Sequence, residues 1–226
     1  MVRGRVGMLA LGLVVALLSS CGGSGDEKAT AAAVTAKSRA VDAARAKRVV
    51  LRLADLPRGW RVDRTAKPAG RCRGYLSGLT KTADVKSQFE KGNILNVDSR
   101  MVVFASESET QKAFSGLAAA SMRQCYKRDL KRLMGTLDEV RSGQAQVGDI
   151  TVRTLAGEPY GEQSGTLRAV VHLGVGNVGI ELHSDSVFVR QDRGLLLANF
   201  AKSSDDFDAA LQARLLGAMS ARLAPR

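Results

Sequence analysis

Apolar and polar residues change rhythm several times along this chain, and each change predicts an element. Val97 to Phe104 moves from alternating to continuously apolar, the pattern of a strand. Ser106-Glu107-Ser108-Glu109 follows with capping-box spacing: the Ser can accept from the amide three residues on, and the Glu can return to the cap amide. From there to about Met134 the residues Phe114, Leu117, Met122, Cys125, Leu130 and Leu133 recur near a 3.6-residue period. That predicts one long helix with Cys125 on its buried face. Past Gly135 the texture becomes β: Leu137 to Val147, Ile150 to Leu155, then a long stretch from Thr166 to Phe200 with turn signals at Gly176-Asn177 and Gln191-Asp192-Arg193-Gly194. Leu195 to Phe200 is apolar enough for a central strand. Ser203 or Ser204 is placed to cap a last helix, whose stripe is Phe207, Leu211, Leu215, Ala218 and Leu223.

The register of the first hairpin can be argued from charge. A two-residue turn at Gly176-Asn177 pairs residues whose numbers sum to 353. Val171 then faces Leu182, Leu173 faces Ile180 and Val175 faces Val178, while the other side sets Arg168 against Asp185 and His172 against Glu181. A sum of 351 keeps the apolar side together but puts Arg168 against His183, losing both opposite-charge pairs. The first register is therefore preferred.

Upstream, Val50, Leu51 and Leu53 lead into Asp55-Leu56-Pro57-Arg58-Gly59-Trp60, read as a short helical turn with Pro inside its start and Gly past its end. Trp60 is the sole tryptophan, and beside a Gly turn it is read as a core anchor. Residues 21–48, rich in Gly and Ser and then Ala, have little large apolar surface to bury and read as a tether. The domain is assigned to residues 49–226. Its fold class is α+β, an antiparallel sheet with helices packed on one face.

Two features address the chain. Arg3 and Arg5 precede Val6 to Leu18, an apolar or small-residue run shorter than the roughly 20 residues that cross a bilayer, so residues 1–20 read as a signal peptide. The junction Leu18-Ser19-Ser20-Cys21, followed by Gly22-Gly23-Ser24-Gly25, resembles the lipobox of bacterial lipoproteins. That resemblance implies cleavage before Cys21, acylation of its sulfur, and an extracytoplasmic protein anchored to the outer face of the cell membrane. Setting Cys21 aside leaves Cys72 and Cys125, an even pair in an exported chain, and predicts a disulfide between them. Without C-x-x-C spacing or a nearby His, a metal site at this pair is disfavoured.

Composition narrows the rest. With 226 residues, 45% hydrophobic and 25% charged, the chain is globular and long enough for one good core. Its 34 Lys and Arg against 22 Asp and Glu give a net charge of +12. Nine of those charges are the surplus between Lys37 and Arg73, and a second cluster is Arg123, Lys127, Arg128, Lys131 and Arg132. Export removes nucleic acid as a partner. For Arg45, Lys47, Arg48, Arg52, Arg58 and Arg61 it leaves anionic lipid or a phosphorylated wall polymer, against the plainer reading of a solvated face.

Chemistry is sparse. No P-loop, dinucleotide fingerprint or H-E-x-x-H occurs, and Gly161-Glu162-Gln163-Ser164-Gly165 is not a G-x-S-x-G elbow. No nucleophile and base are spaced for catalysis and no cofactor is implied, so a non-enzymatic role is expected. His172, Glu181, His183 and Asp185 share one side of the predicted hairpin and have metal-ligand chemistry. That side is expected to be solvated, and the set is not assigned to a metal.

The lipobox, the tether, the Leu-rich entry to Asp55-Leu56-Pro57-Arg58-Gly59-Trp60, one Cys soon after, a second in a helix following a strand, then a β-rich half and closing helix form a recognisable layout. It resembles actinobacterial cell-envelope lipoproteins whose exported domain is similar to the extracellular sensor domain of the PknH-type receptor kinases. The chain departs from that pattern in having one cysteine pair where two disulfides are usual, and in lacking a kinase half. The resemblance implies a non-catalytic domain that binds a ligand or partner in a cleft. A lipid or glycolipid carrier with an apolar cavity is the alternative, and an envelope hydrolase a more remote one.

Overall fold

The structure is a computed structural model in which residues 36–64, 72, 74–92, 95–156 and 159–224 are described. The segment read as a signal peptide, the lipobox-like junction and Cys21 lie outside the described residues. Seven strands form one antiparallel sheet: β1 (Arg61–Val62), β2 (Lys81–Lys91), β3 (Leu95–Phe104), β4 (Ala145–Leu155), β5 (Gln163–Val175), β6 (Val178–Gln191) and β7 (Gly194–Ser203). The order across the sheet is β1-β2-β3-β7-β6-β5-β4, so the apolar Leu195 to Phe200 run is central. Among the described residues five α-helices pack on it: α1 (Ala36–Val49), α2 (Glu107–Ala118), α3 (Ala120–Met134), α4 (Asp138–Arg141) and α5 (Ala209–Leu223).

The fold class is α+β, but the helices cover both faces of the sheet rather than one. Met101, Val103, Val187, Val189, Leu196 and Phe200 point to one side and meet Ala46 and Val49 of α1 and Leu215, Met219 and Leu223 of α5. Their chain neighbours Val102, Phe104, Phe188 and Leu195 point to the other and meet Ala113 and Leu117 of α2 and Met122 of α3. Further along that side, Ile150, Val171 and Leu173 pack on Met134. Since successive strand residues alternate sides, the continuous apolar runs in β3, β6 and β7 require cover on both.

Among the described residues the first element, α1, begins at Ala36, inside the segment read as a tether. The small Ala residues bring α1 close to the sheet: Ala46 and Val49 are fully buried, and the acidic Asp42 is only 3% exposed. Polar burial, invisible to an apolar count, docks this helix. The long helix expected from Ser106 to Met134 is broken at Ala119, whose extended backbone (φ −64°, ψ 146°) re-aims α3. α2 packs on β3, β6 and β7, and α3 on β4 and β5.

Caps also differ in detail. Ser106 Oγ accepts from the Glu109 amide at 3.3 Å, whereas Glu109 Oε1 accepts from the Thr80 amide at 2.9 Å instead of returning to its own cap. The last helix is capped by Asp208, which accepts from the Leu211 amide at 2.9 Å, and not by Ser203 or Ser204. Phe207 therefore lies in the preceding loop, with ring centroids 5.3 Å from Phe200 and 6.4 Å from Trp60. The helical turn expected around Pro57 is instead Leu53–Asp55, ahead of it. Leu137 to Val147 contains α4 before β4 begins, and the two strands expected on either side of Gly148 are one strand with a register shift between Val147 and Ile150.

Candidate binding groove

The β5–β6 hairpin pairs in the register preferred on charge. Gln163 faces Arg190 and Val175 faces Val178, every pair between them summing to 353. Gly176 takes φ +58°, a left-handed conformation that suits Gly in a two-residue turn. On the side of the sheet covered elsewhere by α1 and α5, the hairpin carries Arg168, His172, Glu181, His183 and Asp185.

These side chains form one chain of charge. Arg168 donates through Nε and Nη2 to both oxygens of Asp185, each at 2.7 Å, and through Nη1 to Asp206 at 2.8 Å. His183 Nδ1 lies 2.8 Å from the other Asp206 oxygen, and its Nε2 lies 3.0 Å from Glu181. The second Glu181 oxygen is 3.2 Å from His172 Nδ1. The Asp185 hydrogen bonds, working against burial, raise the Arg168 pKa above its ordinary value. This side was expected to be solvated, yet Asp185 is 5% exposed and the Arg168 side chain 19%. The cause is the loop between β7 and α5, which brings Asp206 over the hairpin and is fixed there by the Ser204 amide donating to the Glu181 carbonyl at 2.7 Å.

Between that loop and the sheet lies an open groove of about 410 Å³, bordered by Arg153, Arg168, Val170, Glu181, His183 and Asp206. Arg153 of β4 stands directly beside Arg168 in the strand register. Arg168 is neutralised by two carboxylates; Arg153 is exposed and forms no ion pair among the described residues. Asp206 does not figure in the sequence reading, which considers only Ser203 or Ser204, as a helix cap. The metal-type set does not converge: among the described residues no three His, Cys, Asp or Glu side chains form a cation site. Asp185 is taken up by Arg168, and the carboxylates around His183 act as its hydrogen-bond partners.

The opposite face holds a second polar cluster. Tyr126 of α3 reaches Ser184 and Ser186 at 3.3 and 3.1 Å, and both serines donate to Asn199 at 2.8 and 3.0 Å. Burial pushes the neighbouring Asp98 carboxyl up to about 6, against the hydrogen bond from Asn199 and the charge of Lys86. Cys72 and Cys125 form a disulfide with Cα atoms 5.7 Å apart, tying the approach to β2 onto α3.

The basic residues singled out in the sequence divide. Arg45 donates to Asp192 at 3.1 Å and to the Leu223 carbonyl at 3.2 Å, and Arg61 to Glu90 at 2.8 Å. Arg52 donates to the Arg48 carbonyl at 3.3 Å. Lys47 and Arg58 are exposed, and Arg48 is half-buried.

These features define an antiparallel α+β domain with a charged groove on an open stretch of sheet. The chain matches no known family profile and no curated protein sequence. Among solved structures it is similar to the crystal structure of the extracellular domain of PknH from Mycobacterium tuberculosis, at 8% identity over 80% of this chain and 95% of that one, with a TM-score of 0.41. Among the described residues no helix is long and apolar enough to cross a membrane.

Proposed function

We propose that this chain is an extracytoplasmic lipoprotein, held at the membrane by acyl groups on Cys21, whose domain binds a polar ligand or partner without catalysing a reaction. The observation that carries the binding reading is the groove itself. Most of its charged side chains are held in place by one another, and Arg153, which also borders the groove, forms no ion pair among the described residues. Such an arrangement suits a ligand bearing an anionic group for Arg153 and a donor for Asp206 or Glu181. Ser204 also borders the groove, but both nitrogens of His183 are engaged by carboxylates, so the imidazole is not set to take a proton from a hydroxyl. An open groove with charged walls favours a polar ligand over the acyl chain of a lipid carrier. The Cys72–Cys125 disulfide is consistent with export.

Two experiments test this. Metabolic labelling with a clickable fatty acid should mark the chain and fail in Cys21→Ala; label persisting in that variant rejects the anchor. Native mass spectrometry of protein purified from its own envelope should show a bound small molecule or partner that Arg153→Ala loses. Retention of the same mass by Arg153→Ala would place the binding site elsewhere.

A further inference from the structure

Residues 36–64 contain nine Lys or Arg and three Asp, and the fold separates the two signs. Asp42 is buried against Arg193, and Asp55 is paired with Arg222 with its side chain only 14% exposed. Both arginines come from outside the segment, so these two carboxylates are taken up chiefly by cations other than its own. Arg45 and Arg61 find carboxylates elsewhere. Lys37, Arg39, Lys47, Arg52 and Arg58 are exposed and form no ion pair among the described residues. Exposed large hydrophobic residues lie among them along the sequence: Val41 at 62%, Leu53 at 45% and Val62 at 50%. On α1, Lys37, Val41, Lys47 and Arg48 fall on the helix side opposite the buried Asp42, Ala46 and Val49, with only Ala40 and Ala44 between them. Cations with long alkyl stems interleaved with apolar side chains match the chemistry of a bilayer interface.

We infer that this surface docks on an anionic phospholipid bilayer. The proposed anchor makes the docking local: Cys21 lies 15 residues before Ala36, so the intervening chain spans at most about 50 Å, and a tethered surface meets its bilayer at high effective concentration. The inference rests on the proposed function for which membrane is met, but the surface can be tested without the anchor. The exported chain carrying Cys21→Ser, and therefore no acyl group, should co-sediment with phosphatidylglycerol-containing vesicles and not with pure phosphatidylcholine. Joint substitution Lys37→Gln, Lys47→Gln, Arg52→Gln and Arg58→Gln should weaken that partition by at least about tenfold. Lys127→Gln, Arg128→Gln and Lys131→Gln on α3 should leave it unchanged, and circular dichroism on each variant checks the fold. No vesicle binding by a folded chain, equal loss in the α3 variant, or binding to soluble poly(glycerol phosphate) in place of vesicles would overturn it. None of these outcomes bears on acylation of Cys21 or on ligand retention in the groove.

Discussion

Arg193 grips Asp42 across 151 residues of sequence, its Nη2 and Nη1 donating to the two carboxylate oxygens at 2.8 and 3.2 Å. The turn between β6 and β7 supplies the arginine, and α1 supplies the acid. The same Nη1 donates to the Phe104 carbonyl, and Thr82 Oγ1 donates to Asp42 at 2.6 Å, so the carboxylate is satisfied on several sides. Arg45 meets Asp192 of the same turn, giving the helix a second hold.

The Asp42 side chain is 4% exposed, so removing Arg193 leaves a charged and desolvated carboxylate, and Arg193→Ala should lower stability by about 3–5 kcal/mol in urea unfolding; Asp42→Ala should cost less, because the Arg193 side chain is 35% exposed and can be rehydrated. The double variant should lose clearly less than the sum of the two, because they share one interaction. Hydrogen exchange should show residues 36–49 opening in each single variant. Additive losses, or an α1 that stays protected, would mean that the pair does not dock the helix.

The disulfide closes a loop of 53 residues, and the chain-entropy model gives it up to about 4 kcal/mol. Reduction, or Cys72→Ser with Cys125→Ser, should lower the urea midpoint and steepen the dependence on urea, because the unfolded chain freed of the cross-link exposes more surface. The link joins the approach to β2 with α3, so protection lost on reduction should centre on residues 74–79 and α3. Uniform loss across β3 and β7 would point to a global effect instead.

Stability should respond to pH in two windows of opposite sign. Asp98 has its carboxyl raised by burial from the usual 3.8 to about 6, so the folded state holds a proton that the unfolded chain has released. Its contribution is fully present below pH 3.8 and is lost as pH rises towards 6, amounting to about 3 kcal/mol at most. The groups acting on it are Asn199 on β7 and Lys86 on β2, and its own charge acts on Tyr126 of α3. Asp98→Asn should flatten the curve across that window. Asp55 and Asp84 behave in reverse. Burial opposes their ionisation, but hydrogen bonds from Arg222 and Arg100 outweigh it and hold both below 3.8. Their contribution is present above that pH and is lost as the solution becomes more acid.

What the sequence disclosed and what it concealed divide along physical lines. The β5–β6 register was legible because turn length, apolar matching and two charge pairs all selected the same alignment. Leu195 to Phe200 could be placed centrally because only an inner strand buries so continuous a run. β2, Lys81–Lys91, was not seen: its buried Thr82, Ala83 and Phe89 are spread among charged residues paired across strands, as Asp84 is with Arg100. α1 was read as a spacer because its docking depends on Asp42, and nothing local reveals that its partner is Arg193. The groove was half visible. Arg168, His172, Glu181, His183 and Asp185 follow from the register, whereas Asp206 reaches them through a loop whose path depends on the packing of α5 and Phe207.

The Arg168–Asp185 pair, the innermost link of that groove, should behave as a positioning element whose loss can be separated from unfolding. Asp185 is 5% exposed, so Arg168→Ala strands a carboxylate and should cost about 3–5 kcal/mol. Replacing both, Arg168→Met with Asp185→Leu, removes the desolvation penalty together with the attraction, and should return stability to within about 1 kcal/mol of the parent, measured by urea unfolding. The restored domain would still lack the guanidinium that holds Asp206 at 2.8 Å. His183, which shares Asp206, would then lose one of its two fixed partners, observable as a change in imidazole chemical shifts. A double variant as stable as the parent but without the mass retained by the native groove would separate the binding role of this pair from its structural one. If that mass is retained, Arg168 serves the fold alone.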